Sequence, residues 1–143
     1  ANLTIICKDI SQLSEYTHQI DNRIFKLLKR NLPGPFTFIL KSSRKLPKSL
    51  DNRRKTLGLR IPDNKIAQTI IEDLGNPILS ISLKSDDEIT EYVTDPYEIH
   101  EDFEKQVDIV IDGGIGNNVP SGVIDVSEGE VDIIRKGATD LIE

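Results

Sequence analysis

Lys55-Thr56-Leu57-Gly58-Leu59-Arg60-Ile61-Pro62-Asp63-Asn64 carries the chain from a strand into a helix, and the same alternation recurs on both sides of it. Thr56 to Ile61 is rich in apolar and β-branched residues and reads as a strand. Pro62-Asp63 opens a helix in which Ile66, Ile70, Ile71 and Leu74 form a stripe predicted to be buried, with Gly75 as its stop.

Upstream, Phe36 to Leu40 is an apolar strand entered through Pro33-Gly34-Pro35. Two prolines and a glycine cannot continue a helix, so they end the one that Asp21 caps, in which Ile24, Leu27 and Leu28 share a face. Before that helix come a strand at Leu3 to Cys7 and a short helix, capped by Asp9 or Ser11, through about Thr17. Downstream, Ile78 to Leu83 is a strand. Asp95-Pro96 with Glu98 starts a helix whose apolar face is Ile99 and Phe103. Val107 to Ile111 is continuously apolar and is predicted to be a strand buried on both faces. Val123–Val126 and Val131–Ile134 form a closing pair joined by Glu128-Gly129. Early alternation followed by late strands predicts one α/β domain over residues 1–143, with a mixed sheet flanked by helices.

The composition excludes several classes. Cys7 is the only cysteine, so no intrachain disulfide and no cysteine metal cluster can form, and a reducing, cytoplasmic setting is expected. No apolar run approaches the length of a membrane span, and no membrane partner is expected. The chain contains no methionine, so it is expected to begin inside something larger. Net charge is −6, yet Lys26 to Arg60 holds eleven Lys or Arg against one acid, Asp51. Such asymmetry marks a surface that faces polyanions. Lys41, Arg44, Lys45, Lys48, Arg53, Arg54 and Lys55 are its candidate RNA or phosphate contacts.

Asp112-Gly113-Gly114-Ile115-Gly116 invites a dinucleotide-binding reading, but Val119 breaks the glycine pattern and Pro120 leads into a strand. A turn is the better account. His18 and His100 lack the neighbours a metal site needs, and no metal ligands are assigned. Asp108, Asp112 and Asp125 read as strand-end turn caps, and Cys7 as a small buried hydrophobe. Thr56 and Arg60 share strand parity, as do Ser80 and Ser82 in the next strand, so each pair leaves one sheet face. An arginine among hydroxyls is suited to gripping a carboxylate or phosphate.

The segments PGPFTFIL (33–40), KTLGLRIPDN (55–64), VDIVIDGG (107–114), PSGVIDVS (120–127) and IIRKG (133–137), in that order, resemble the YrdC/YciO family. The resemblance implies a YrdC/RibB-like twisted mixed sheet with a concave, positively charged cavity. It further implies threonylcarbamoyl-AMP synthase chemistry in the modification of tRNA to threonylcarbamoyladenosine. The amine of L-threonine captures bicarbonate as a carbamate, whose oxygen attacks the ATP α-phosphorus and releases pyrophosphate. ATP with Mg2+ enters as a substrate, and no structural metal is implied. Carried over by position, Arg60, Ser80 and Ser121 fall on the threonine or small-carboxylate side, and Thr56, Ser82 and Arg135 on the nucleotide side. The synthases usually continue with serine-alanine-asparagine where this chain has Ser82-Leu83-Lys84, a departure that resembles the YciO branch. The family's first strand-helix segment and basic motif are expected before Leu3, so this chain alone is expected not to complete the site and to self-associate through its incomplete sheet. The alternative function is a non-catalytic module that grips double-stranded RNA or tRNA through backbone phosphates.

Overall fold

The computed structural model describes residues 4–46, 55–83, 94–116 and 119–143. Its backbone contacts divide the chain into two compact units, residues 1–81 with 121–143, and residues 82–120.

The first unit is built on one six-stranded sheet. In chain order its strands are β1 (Thr4–Ile6), β2 (Phe36–Lys41), β3 (Thr56–Arg60), β4 (Ile78–Ser80), β5 (Gly122–Asp125) and β6 (Asp132–Arg135). Their spatial order is β4-β1-β3-β2-β5-β6. The sheet is mixed, as the sequence predicts: β1 pairs with β3 and β2 with β5 in parallel, and the other three pairings are antiparallel.

Helices α1 (Ile10–Glu15) and α2 (Asn22–Asn31) form where the caps foretell them. The Asp9 carboxylate accepts from Gln12 N and that of Asp21 from Arg23 N, each satisfying a first-turn amide that has no partner within the helix. Asp9, rather than Ser11, is thus the cap of α1. Leu13, Ile24, Leu27 and Leu28 are buried, and they join Ile5, Cys7, Leu57, Leu59, Phe36, Phe38, Leu40 and Ile124 in one cluster. Those strand residues all sit at the same parity, so the two helices cover one face of the sheet and define the core.

Cys7 lies in that core with no exposed surface. Burial pushes its thiol up from 9.0 to about 12, with Asp9 and Glu15 adding to the shift. Because the folded pKa is raised, its contribution to stability is fully present below about pH 9 and is lost as the pH climbs through 9 toward 12. Iodoacetamide at pH 8 is expected to leave the folded protein unmodified and to alkylate it once in denaturant. Rapid alkylation of the folded chain would show that Cys7 is accessible.

Three elements differ from their prediction. Helix α3 (Lys65–Leu74) forms, capped by Asn64 rather than by Pro62-Asp63, and ends at Gly75 with φ 82°, a left-handed turn that glycine adopts without steric cost. Its stripe is largely uncovered: Ile71 is buried, while Ile66, Ile70 and Leu74 are 41%, 36% and 54% exposed. Amphipathic spacing identifies the face but not whether anything packs on it. Strand β4 stops at Ser80, and Ile81 to Leu83 are not strand.

In the second unit, α4 (Pro96–Phe103) starts at Asp95, whose carboxylate accepts from Tyr97 N. Ile99 and Phe103 are half-buried. Val107 to Ile111 is not a strand, and Val107, Ile109 and Ile111 are exposed. An apolar run becomes a strand only where a neighbour supplies its hydrogen bonds, and none does so among the described residues. Asp112 accepts from Gly114 N, which makes the Asp112–Gly116 stretch the turn its sequence predicts. Among the described residues no helix is long and apolar enough to cross a membrane.

Candidate functional site

The sheet face opposite the core carries the polar residues. Strand parity decides this: Leu57, Leu59 and Ile61 point into the core, so Thr56, Gly58 and Arg60 leave the other side. The register carries the same face across the sheet. Ser80 lies opposite Thr4, Thr4 beside Gly58, and Gly58 opposite Ile39. Two residues before Ile39, Thr37 shares its face, and it pairs with Val123, which pairs in turn with Arg135. Thr56, Arg60, Ser80 and Arg135 therefore stand on one face, and each is half-buried.

The hydroxyls on this face are paired. Thr4 Oγ1 and Ser80 Oγ are 2.6 Å apart, and Thr37 Oγ1 and Ser121 Oγ 2.8 Å. Arg135 donates from Nε and Nη2 to the Ser121 carbonyl oxygen, at 3.0 and 2.9 Å. Gly58 lies between the two pairs. A Cβ there would come within 3.0 Å of the Thr4 methyl and 3.3 Å of the Thr37 methyl, so only hydrogen fits without displacing one of them. Thr4 and Thr37 belong to this cluster and are not among the residues singled out from the sequence. The parity of Thr37 against Phe36 and Phe38 is the signal that finds it.

The guanidinium groups of Arg60 and Arg135 rise from β3 and β6, separated by β2 and β5. At a usual inter-strand spacing their backbones stand roughly 14 Å apart. Two cations so spaced, with hydroxyl donors between them, suit a ligand with a negative group at each end. Among the described residues no three His, Cys, Asp or Glu side chains gather to hold a metal.

Other sequence-selected residues fall elsewhere. Ser82 lies beyond the end of β4, in the second unit, and does not share a strand with Ser80. Lys48, Arg53, Arg54 and Lys84 lie outside the described residues. Lys41 is 3.8 Å from Glu128, and Lys45 is 3.5 Å from Glu15 with its ammonium over the Tyr16 ring. Arg44 and Lys55 are exposed. The carboxylate of Asp125 accepts from Ser127 N and Oγ in a turn. A shallow pocket of about 110 Å³ lined by His18, Asp21, Lys41 and Ser127 opens near the start of α2, where Ile24, Leu40 and Val126 also line it.

The comparisons agree with this architecture. A family model for Sua5, YciO and YrdC proteins, described as Telomere recombination, matches residues 1–137. A protein of Escherichia coli K12 named "Uncharacterized protein YciO" is 44% identical, over 98% of this chain and 68% of its own length. Threonylcarbamoyl-AMP synthase of Pyrococcus abyssi is 31% identical, over 99% of this chain and 41% of its own. The crystal structure of E. coli YciO superposes with a TM-score of 0.90 at 43% identity, covering 97% of this chain and 67% of that one. The structure of P. abyssi Sua5 complexed with L-threonine superposes with a TM-score of 0.80 at 30% identity, covering 95% and 40%. The chain thus spans about two thirds of YciO and about two fifths of the synthase. By sequence and by fold, this chain belongs to the Sua5/YciO/YrdC family.

Proposed function

We propose that the polar sheet face is the floor of a nucleotide and amino-acid site, and that the protein is related in chemistry to threonylcarbamoyl-AMP synthase, using ATP, L-threonine or another small carboxylate, and bicarbonate. The observation that carries this reading is the placement of Arg60 and Arg135 on one face with the Thr4–Ser80 and Thr37–Ser121 hydroxyl pairs. A complex of the related P. abyssi protein with L-threonine supports it.

In this reading Arg60 holds the substrate carboxylate through charge-assisted hydrogen bonds. Ser80 and Ser121 orient the amino-acid side, while Thr56 and Arg135 face the nucleotide. Ser82 is kept as a nucleotide contact on the resemblance alone. The cationic and hydroxylic donor set fits phosphate and carboxylate oxygens, and Mg2+ would arrive on the nucleotide's phosphates. The amine adds to bicarbonate with loss of water, giving a carbamate. A carbamate oxygen then bonds to the α-phosphorus as the bond to pyrophosphate breaks. Nothing in that sequence requires a protein nucleophile. The protein contributes alignment of the two substrates and neutralisation of their charge.

Calorimetric titration with ATP and with L-threonine, followed by assay of pyrophosphate release with bicarbonate present, tests the proposal. Binding of both ligands, in the millimolar range or tighter, is expected. If neither ATP, threonine nor any other small carboxylate binds at such concentrations, the reading fails. A duplex RNA arm separates the second ligand class. RNA held by the basic segment would show affinity falling steeply with salt and little dependence on sequence.

A further inference from the structure

We propose that Thr37 is a positioning residue of this site, acting through Ser121 to set the orientation of the Arg135 guanidinium. The inference rests on the proposed function for its ligand, but its geometry stands independently. Thr37 is 6% exposed, the one β2 residue of its parity that is buried, and its hydroxyl meets Ser121 Oγ at 2.8 Å. A buried hydroxyl must be hydrogen-bonded or it destabilises the fold, so this contact holds Ser121 as firmly as β2 itself is held. The backbone beside it is pinned as well: Gly122 N donates to Pro35 O at 2.9 Å, and a Cβ on Gly122 would stand 3.2 Å from the Phe36 ring.

Ser121 passes that rigidity on. Its carbonyl accepts from both Nε and Nη2 of Arg135, two bonds to one oxygen that fix the guanidinium plane. Arg135 reaches the polar face because β6 is irregular. Asp132 pairs with Asp125 and Ile133 with Ile124, after which the register skips Ile134 and sets Arg135 opposite Val123. Without that extra residue Arg135 would lie opposite Gly122, at the parity of the core. A bulge of this kind re-aims a side chain. Three features, on β6, just before β5 and on β2, thus converge on one arginine: the bulge chooses its face, Ser121 its plane, and Thr37 the position of Ser121.

The experiment follows the Arg135 Nε–H directly by nitrogen-15 NMR, with Arg135→Lys to assign the signal, and follows ATP affinity by calorimetry. Thr37→Val keeps the shape and removes the hydroxyl; Thr37→Ser keeps the hydroxyl. Thr37→Val is expected to speed Nε–H exchange with solvent and to weaken ATP binding about tenfold, the loss of one oriented contact, while Thr37→Ser restores both. Ser121→Ala, at a half-buried and more tolerant position, is expected to match Thr37→Val, and it decides the question if Thr37→Val does not fold. Unchanged exchange in Thr37→Val, or in Ser121→Ala where that variant decides, overturns the proposal. If the wild-type protein binds no ATP, the exchange rates alone judge Thr37, and the failure falls on the functional reading instead.

Discussion

Arg60→Ala is expected to weaken binding of L-threonine, or of whichever small carboxylate the protein takes, by about 1.5–3 kcal/mol, roughly 10- to 150-fold. Arg60 is half-buried at the end of β3, and its Nε is shielded from solvent. A hydrogen bond made there to a carboxylate competes less with water than one at the open surface. The scaffold does not depend on that side chain for its strand pairing. The Arg60 carbonyl accepts from Cys7 N at 2.8 Å, and this bond between β1 and β3 survives truncation of the side chain. Arg60→Lys is expected to recover only part of the loss, because an ammonium supplies a point charge where a guanidinium supplies a planar fork. Titration of both variants with L-threonine checks this. Wild-type affinity in Arg60→Ala would remove Arg60 from the site.

Phe38→Ala is expected to lower folding stability by about 3–5 kcal/mol, a large part of what a domain of this size possesses. Phe38 has no exposed surface and sits in the central cluster, its ring centroid 6.1 Å from that of Phe36 in a tilted pair. Truncation leaves a void between the sheet and its helices that neighbouring side chains cannot fill without leaving their rotamers. Urea denaturation reads the effect as a lower midpoint with little change in slope. A loss below about 1 kcal/mol would mean that the core closes over the void. Phe38 and Thr37 are adjacent in one strand, yet the first is expected to report on stability and the second on binding. Alternation of side chains between faces separates the two roles within a single peptide unit.

Elements with a local cause were legible in the sequence. Asp9, Asp21 and Asp95 cap helices because a carboxylate near the first turn satisfies amides that have no other partner, and Gly75 ends α3 because it accepts a left-handed backbone. Parity likewise placed Thr56 and Arg60 together from the sequence alone, since the period of a strand is a property of the backbone. Features that depend on a neighbour were not legible. Whether Val107–Ile111 forms a strand and how much of the α3 stripe is covered are each set by what lies alongside. Ser82 falls outside the strand that parity assigns to it with Ser80, because β4 ends at Ser80. Which strands meet was decided only in three dimensions, and with it the joining of Thr4 to Ser80 across 76 positions and of Thr37 to Ser121 across 84. Arg135 depends on the same level of structure: its residue type is written in the sequence, but the register shift that turns it toward the polar face arises from the pairing of β6 with β5.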